Sequence, residues 1–194
     1  MSKIQPNGIS SYTTAERDAL TGLPTDDYLI YNKTLGNFQT RDSSSWVNAG
    51  STQPAFSAQL SSVDIDVTGD GTVFTIGSGN AFTELYDQGA NFNTNGTFTA
   101  PVTGRYSFNM TVGYGSAGSN DLIFEIVTTG GTYLLFRTNA DGFQSGVTTE
   151  ADFCCNAQLP MTTNDTATIR ITISGGSKIA DINTNTLFSG HLVC

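Results

Sequence analysis

From Ala55 onward, apolar and polar residues alternate in long runs. Tyr106, Phe108, Met110, Val112 and Tyr114 alternate with Ser107, Asn109, Thr111 and Gly113. Ala167, Ile169, Ile171 and Ile173 alternate with Thr166, Thr168, Arg170 and Thr172. Period two over such lengths describes strands with one buried face and one wet face. Leu122–Val127 and Tyr133–Phe136 are more continuously apolar, which predicts strands covered on both sides. Turn residues recur about every 10 positions, the spacing of an all-β sandwich. Across Val147–Leu159 one parity carries Val147, Phe153, Cys155 and Leu159, and the other carries Glu150, Asp152, Cys154 and Asn156. Cys155 is therefore expected inside and Cys154 on the opposite face.

The first fifty residues differ. Thr13 or Thr14 can cap a short helix with Glu16 in its first turn, and Gly22 and Pro24 stop it after Leu20. Tyr28–Tyr31, a turn over Asn32–Asn37 and Phe38–Thr40 read as a β-hairpin. The polar run Asp42–Ser45 and the only tryptophan, Trp46, follow, and Gly50–Pro54 reads as a linker. So small a unit buries too little surface to stand alone, so it is expected to dock onto something. Residues 1–50 are thus expected to form a helix-plus-hairpin arm, and residues 51–194 the main domain.

Composition narrows the class. Only 13% of the 194 residues are charged, about half of the roughly 25% of ordinary globular chains. No apolar run approaches the ~18 residues of a spanning helix, and the 21 glycines have no period of three. An aromatic content of 10% argues against disorder. The net charge of −9 gives nucleic-acid binding no electrostatic support and disfavours anionic membranes. Neither partner is expected.

Candidate chemistry is sparse. Cys154, Cys155 and Cys194 are an odd number without metal spacing, and the opening Met-Ser-Lys-Ile-Gln-Pro lacks the apolar stretch of a signal peptide. Synthesis in a cytoplasm with reduced thiols is expected, so the Asn-x-Thr triplets at Asn32, Asn95, Asn109 and Asn164 read as chance. His191 is the only histidine, lies in an apparent final strand, and has no nucleophile elbow to serve. Asp64, Asp66 and Asp70 resemble half a calcium loop, but no Glu closes it, so turn residues are the expected reading and no cofactor is expected. Gly175–Lys178 lacks the upstream glycine of a phosphate loop and reads as a hairpin turn.

One stretch is more specific. Gly96-Thr97-Phe98-Thr99-Ala100-Pro101-Val102-Thr103-Gly104-Arg105-Tyr106-Ser107-Phe108 resembles the signature of the globular head of complement component 1q, a family of the tumour necrosis factor fold. Pro54–Leu60 resembles its first strand and Leu187–Leu192 its last, in the family's order and near its spacing. The resemblance implies a ten-stranded jelly roll that assembles as a compact trimer. Its signature positions here are Phe56, Phe98, Pro101, Gly104, Tyr106, Phe108, Phe188 and Gly190.

Val67–Ile76 and Phe82–Phe92 resemble microbial and viral members of that group. Thr13–Leu20 and Leu29–Val47 resemble a shorter segment recurrent in bacteriophage virion proteins. Together they imply a viral structural protein on the virion surface. The expected form is a homotrimeric capsid decoration or cement protein bound to the major capsid protein or another virion protein, and no enzyme. Tyr12, Leu20, Tyr31 and Trp46 are the expected docking anchors of the arm. The alternatives are a tail-fibre tip or receptor-binding head, and a carbohydrate- or protein-binding module using Gly115–Asn120 and Asn139–Gly146, with a host receptor or glycan as partner.

Overall fold

The computed structural model describes residues 9–23, 28–42, 45–49, 53–115, 121–139 and 150–194. The chain divides into two compact units, Met1–Gln53 and Pro54–Cys194.

In the first unit, Thr13 caps the five-residue helix α1 (Thr14–Asp18). The Glu16 N–H donates to Thr13 Oγ1 (3.3 Å) and the Thr13 N–H donates back to Glu16 Oε2 (2.8 Å), a reciprocal capping box. These bonds to Thr13 hold the Glu16 carboxyl below the ordinary carboxylate range. The helix ends at Ala19, before the expected Leu20; Pro24, the other expected stop, lies outside the described residues.

Strands β2 (Leu29–Asn32) and β3 (Asn37–Asp42) form the hairpin. Two further strands join it. β1 (Ser10–Tyr12) runs parallel to β2, and β4 (Ser45–Asn48) pairs with β3, giving the order β1-β2-β3-β4. The sequence pattern missed both because each is three or four residues of mostly polar type, stabilised by pairing and not by periodicity. Ser43, Ser44 and the linker positions 50–52 lie outside the described residues.

The second unit is a sandwich of two antiparallel sheets. One holds β5 (Ala55–Leu60), β6 (Asp64–Thr68), β8 (Phe82–Gln88), β11 (Gly104–Gly115), β14 (Glu150–Met161), β16 (Ala180–Ile182) and β17 (Leu187–Leu192). β11 lies at its centre. β14 pairs with β11 along all twelve residues on one side, and β17, β5 and β8 follow in that order on the other. The second sheet is ordered β13 (Gly131–Thr138), β12 (Asp121–Thr128), β15 (Thr166–Ser174), β10 (Thr97–Thr99), β9 (Phe92–Asn93), with β7 (Val73–Thr75) also on β15.

The described residues of this unit hold thirteen strands against the ten expected. The excess comes from pieces as short as the two residues of β9, where bends and glycines interrupt longer ladders. No helix among the described residues is long and apolar enough to cross a membrane.

The inner faces follow the period-two pattern. Tyr106, Phe108, Met110, Val112 and Tyr114 of β11 are buried, facing Leu122, Phe124 and Ile126 of β12 and Ile169, Ile171 and Ile173 of β15. Phe56 sits at the centre of an aromatic cluster, with ring centroids 4.6 Å from Phe92, 5.0 Å from Phe98 and 5.0 Å from Phe188. Burial of each such ring contributes about 1.5–3 kcal/mol. The Tyr106 hydroxyl donates to the Val102 carbonyl (2.8 Å), so its polar end is satisfied beside Pro101. Gly104 is required by proximity: a Cβ there would lie 2.5 Å from Leu192 Cδ1 and 2.7 Å from the Cys194 carbonyl oxygen. Of the signature positions, Phe56, Phe98, Tyr106, Phe108, Phe188 and Gly190 are buried, and Pro101 and Gly104 are half-buried at the turn.

Candidate functional site: two open sheet faces

The outer faces of the sandwich differ in kind. On the β12 sheet, Arg137 Nε and Nη2 donate to Asp121 Oδ1 and Oδ2 (3.0 and 2.8 Å), and Arg170 Nε donates to Glu125 Oε2 (2.7 Å). Charges laid among Ile123, Val127, Thr168 and Thr172 describe a face that meets water.

The β11 sheet presents no such charges. Three rows run across five strands: Asn156, Asn109, Ser189, Ser57, Tyr86; Cys154, Thr111, Leu187, Gln59, Thr83; and Gln158, Ser107, His191, Ala55, Gln88. None is Asp, Glu, Lys or Arg. Charge returns at the ends of the β11–β14 pair, with Arg105 beside Pro160 and Glu150 and Asp152 beside Gly115 and Gly113, and on the β16 and β6 side, with Asp181 beside Gly115 and Asp66 beyond it. A depression of about 240 Å³ lies in the middle rows, among Ser57, Asn109, Thr111, Cys154, Leu187 and Ser189.

Cys154 is exposed on this face, with its Sγ 3.4 Å from Thr111 Oγ1. Cys155 points inward, and burial, aided by the neighbouring Cys154, pushes its thiol up. Uncharged polar rows can be covered without the desolvation cost of an ion.

The unit also has a polarity along its strands. The chain enters beside β17, where the Leu192 N–H donates to the Pro54 carbonyl (2.9 Å). β11 starts at this end, with Tyr106 opposite Leu192, and finishes at the other, with Gly115 opposite Glu150. Asp121 and Thr138 stand at that same far end. The proposed binding loops, Gly115–Asn120 and Asn139–Gly146, and the strand residues Val147–Thr149 fall largely outside the described residues. The strand ends that carry both loops are opposite the chain's point of entry.

The first unit has a two-faced sheet with inverted polarity. Its inner face buries Ile30, Asn32, Gln39 and Tyr12. Asn32 Oδ1 accepts from the Thr34 and Leu35 N–H groups (3.0 and 3.1 Å), its amide nitrogen donates to Gln39 Oε1 (2.8 Å), and Arg17 Nη1 donates to the same oxygen (2.7 Å). Arg17 also lies over the Trp46 ring at 5.9 Å. Satisfied in this way, buried amides are tolerated. The opposite face carries Leu29, Tyr31, Phe38 and Val47, and Leu29, Phe38 and Val47 are 43%, 44% and 41% exposed. Tyr31 and Phe38 pack edge to face at 5.3 Å.

Of the expected docking anchors, only Tyr31 lies on this open face. Tyr12 is buried, Trp46 belongs to the inner face beside Arg17, and Leu20 is half-buried beyond the helix. Leu29, Phe38 and Val47 went unrecognised because alternation alone assigns the apolar parity to the inside.

The calcium candidates are not brought together. Asp64 Oδ1 accepts from the Asn80 N–H and amide (2.6 and 2.9 Å), and Asp70 Oδ1 accepts from the Thr72 N–H (3.0 Å). Asp66 enters only through its backbone, which donates to Asp181 Oδ1 (2.9 Å). Among the described residues no group of three or more His, Cys, Asp or Glu side chains could hold a metal.

No family model and no curated protein matches this chain. Among solved structures it is similar to the globular domain of zebrafish complement 1qA, at 18% identity and a TM-score of 0.46, over 73% of this chain and 98% of that one. It is also similar to murine APRIL, at 11% identity and a TM-score of 0.47, over 73% of this chain and all of that one. Both are jelly-roll folds of the complement 1q and tumour necrosis factor group. The likeness concerns the fold alone.

Proposed function

We propose that the chain is a virion structural protein, a homotrimeric capsid decoration or cement protein whose first unit docks on the virion and whose jelly roll is the exposed knob. The observation that carries this reading is the run of uncharged rows across the β11 face in a protein of net charge −9. The acidity is unevenly placed. Residues 1–53 hold four basic and five acidic residues, and residues 54–194 hold four and twelve. A nearly neutral unit with an open apolar face suits docking, and a strongly acidic one suits solvent.

The β11 face supports self-association. At the ~4.8 Å strand spacing and ~3.4 Å rise per residue, five strands by five residues cover about 400 Å². That is half of the ~800 Å² one partner gives to a standard interface. A ring in which each copy gives this face to one neighbour and a second surface to the other buries about 800 Å² per copy over two interfaces, whereas a face-to-face pair buries about 400 Å² per copy. The chain's entry at one end of the knob, opposite the strand ends that carry the two loops, suits an anchored base and a free tip. Three tethered arms then convert weak single contacts into durable attachment.

The direct test is location. Labelled protein on purified particles is expected at capsid threefold or local threefold positions, and label confined to the tail tip replaces this reading with a tail-fibre head. Asn109→Glu, which sets a charge mid-face, is expected to give folded monomers by sedimentation. Leu29→Asp with Phe38→Asp is expected to keep the trimer and lose attachment. Attachment by that double variant refutes the docking face.

A carbohydrate-binding module is the second reading. It is favoured by the exposed side-chain amides of Asn109, Asn156 and Gln158, which have no hydrogen-bond partner among the described residues. Glycan binding by the wild-type protein that Asn109→Ala abolishes would establish it.

A further inference from the structure

At the chain-entry end of the second unit, an open depression of about 530 Å³ lies among Arg105, Tyr133, Pro160, Met161, Asp165 and Cys194, whose carbonyl oxygen accepts from the Arg105 backbone N–H (2.8 Å). Its volume lies within the ~300–1,000 Å³ of small-molecule sites. The Tyr133 ring, Pro160 and Met161 make the wall apolar.

The polar groups around the depression are mostly committed. Asp165 Oδ2 accepts from the Thr162 N–H and hydroxyl (2.7 and 2.8 Å). Thr103 Oγ1 accepts from the Thr163 N–H (3.1 Å). A polyhydroxylated sugar would therefore find few free partners. Arg105 is different. Of the three arginines in this unit, Arg137 and Arg170 are ion-paired. Arg105 is exposed and has no carboxylate within ion-pair distance among the described residues. Its planar fork of five donors is unspent and matches a carboxylate in two-point geometry.

We infer that this depression binds a small carboxylate carried on an aromatic or alkyl body. The Arg105 guanidinium takes the carboxylate, and Tyr133, Pro160 and Met161 take the body. The inference does not rest on the virion reading, because every group it uses belongs to the second unit.

Calorimetry of the full chain with 3-phenylpropionate tests it, alongside the matching alcohol and amine of the same body. The acid is expected to bind, with the alcohol weaker by about tenfold, the loss typical of a hydrogen bond to a charged group. Arg105→Gln is expected to lose about tenfold toward the acid and nothing toward the alcohol. Gly130→Leu, at the rim of the depression, is expected to block both. A Cβ there meets only Thr128 Oγ1 at 3.6 Å, so this variant should fold. Three results overturn the inference: no binding of the acid by the wild-type chain, undiminished binding by Arg105→Gln, or a preference for the amine, which would make Asp165 the recognition group.

Discussion

Replacing Gly190 with alanine would put a methyl group where the core leaves no room. Gly190 lies in the middle of β17, and its φ is outside the left-handed region, so alanine is conformationally admissible there. The objection is steric. The added Cβ would stand 2.7 Å from Phe108 Cδ1, 2.8 Å from Phe56 Cε1 and 3.0 Å from Phe108 Cε1. Neither ring can swing aside. Both are fully buried, Phe108 lies 5.9 Å from Phe188, and Phe56 lies between Phe92 and Phe98.

Overpacking of this kind costs about 1–3 kcal/mol. The lower backbone entropy of alanine returns about 0.5–1 kcal/mol. The net expectation is a loss of about 1–2 kcal/mol, or a midpoint lowered by about 3–6 °C in a domain of this size. Urea and thermal unfolding should be run at fixed protein concentration, because assembly contributes to apparent stability. Gly130→Ala, whose Cβ would make only an ordinary contact with Thr128 Oγ1 at 3.6 Å, is the control and should be neutral or slightly stabilising. A Gly190→Ala protein as stable as wild type would refute the claim that ring proximity requires glycine here.

Asp64 should make the second unit less stable as pH rises through the acid range. Burial raises its carboxyl above the ordinary aspartate range despite the Asn80 hydrogen bonds, and its Oδ2 has no partner. The folded state therefore holds this proton more tightly than the unfolded one, so the contribution of Asp64 to stability is greatest at low pH and is lost as pH rises through its folded-state ionisation. Asp64→Asn should remove that slope and add about 1 kcal/mol at neutral pH, measured as urea midpoints across pH 4–7; an unchanged slope would assign it to other carboxyls. Asn32→Ala removes one of the two donors to Gln39 Oε1 and leaves two turn N–H groups to water, at a cost of about 1 kcal/mol confined to the first unit. Hydrogen exchange should quicken in residues 29–41 and stay unchanged in β11. Thiol alkylation should modify Cys155 slowest, because burial keeps its thiol protonated. Cys154 should label slowly in the assembled protein and quickly in Asn109→Glu, and equal rates would place Cys154 outside any subunit contact.

In the second unit, the long strands and the direction of their side chains were legible in the sequence alone. Alternation through 106–114 and 167–173 assigned each residue a face, because a pleated strand has a period of two and a sandwich core takes one parity. The capping pair Thr13 and Glu16 was equally legible, since a helix start is a local hydrogen-bonding problem. Three things needed the tertiary structure. The need for glycine at position 190 depends on two rings from β5 and β11 closing over β17, a contact between residues more than eighty positions apart. The absence of charge from one sheet face became visible only when five strands, scattered from Ala55 to Leu192, were laid in register. In the first unit, local pattern pointed the wrong way. Asn32 and Gln39 are buried because they satisfy each other, Arg17 and the following turn, and that leaves Leu29, Phe38 and Val47 outside. Burial of a polar group is decided by the partners it meets in space, and a strand's sequence does not contain them.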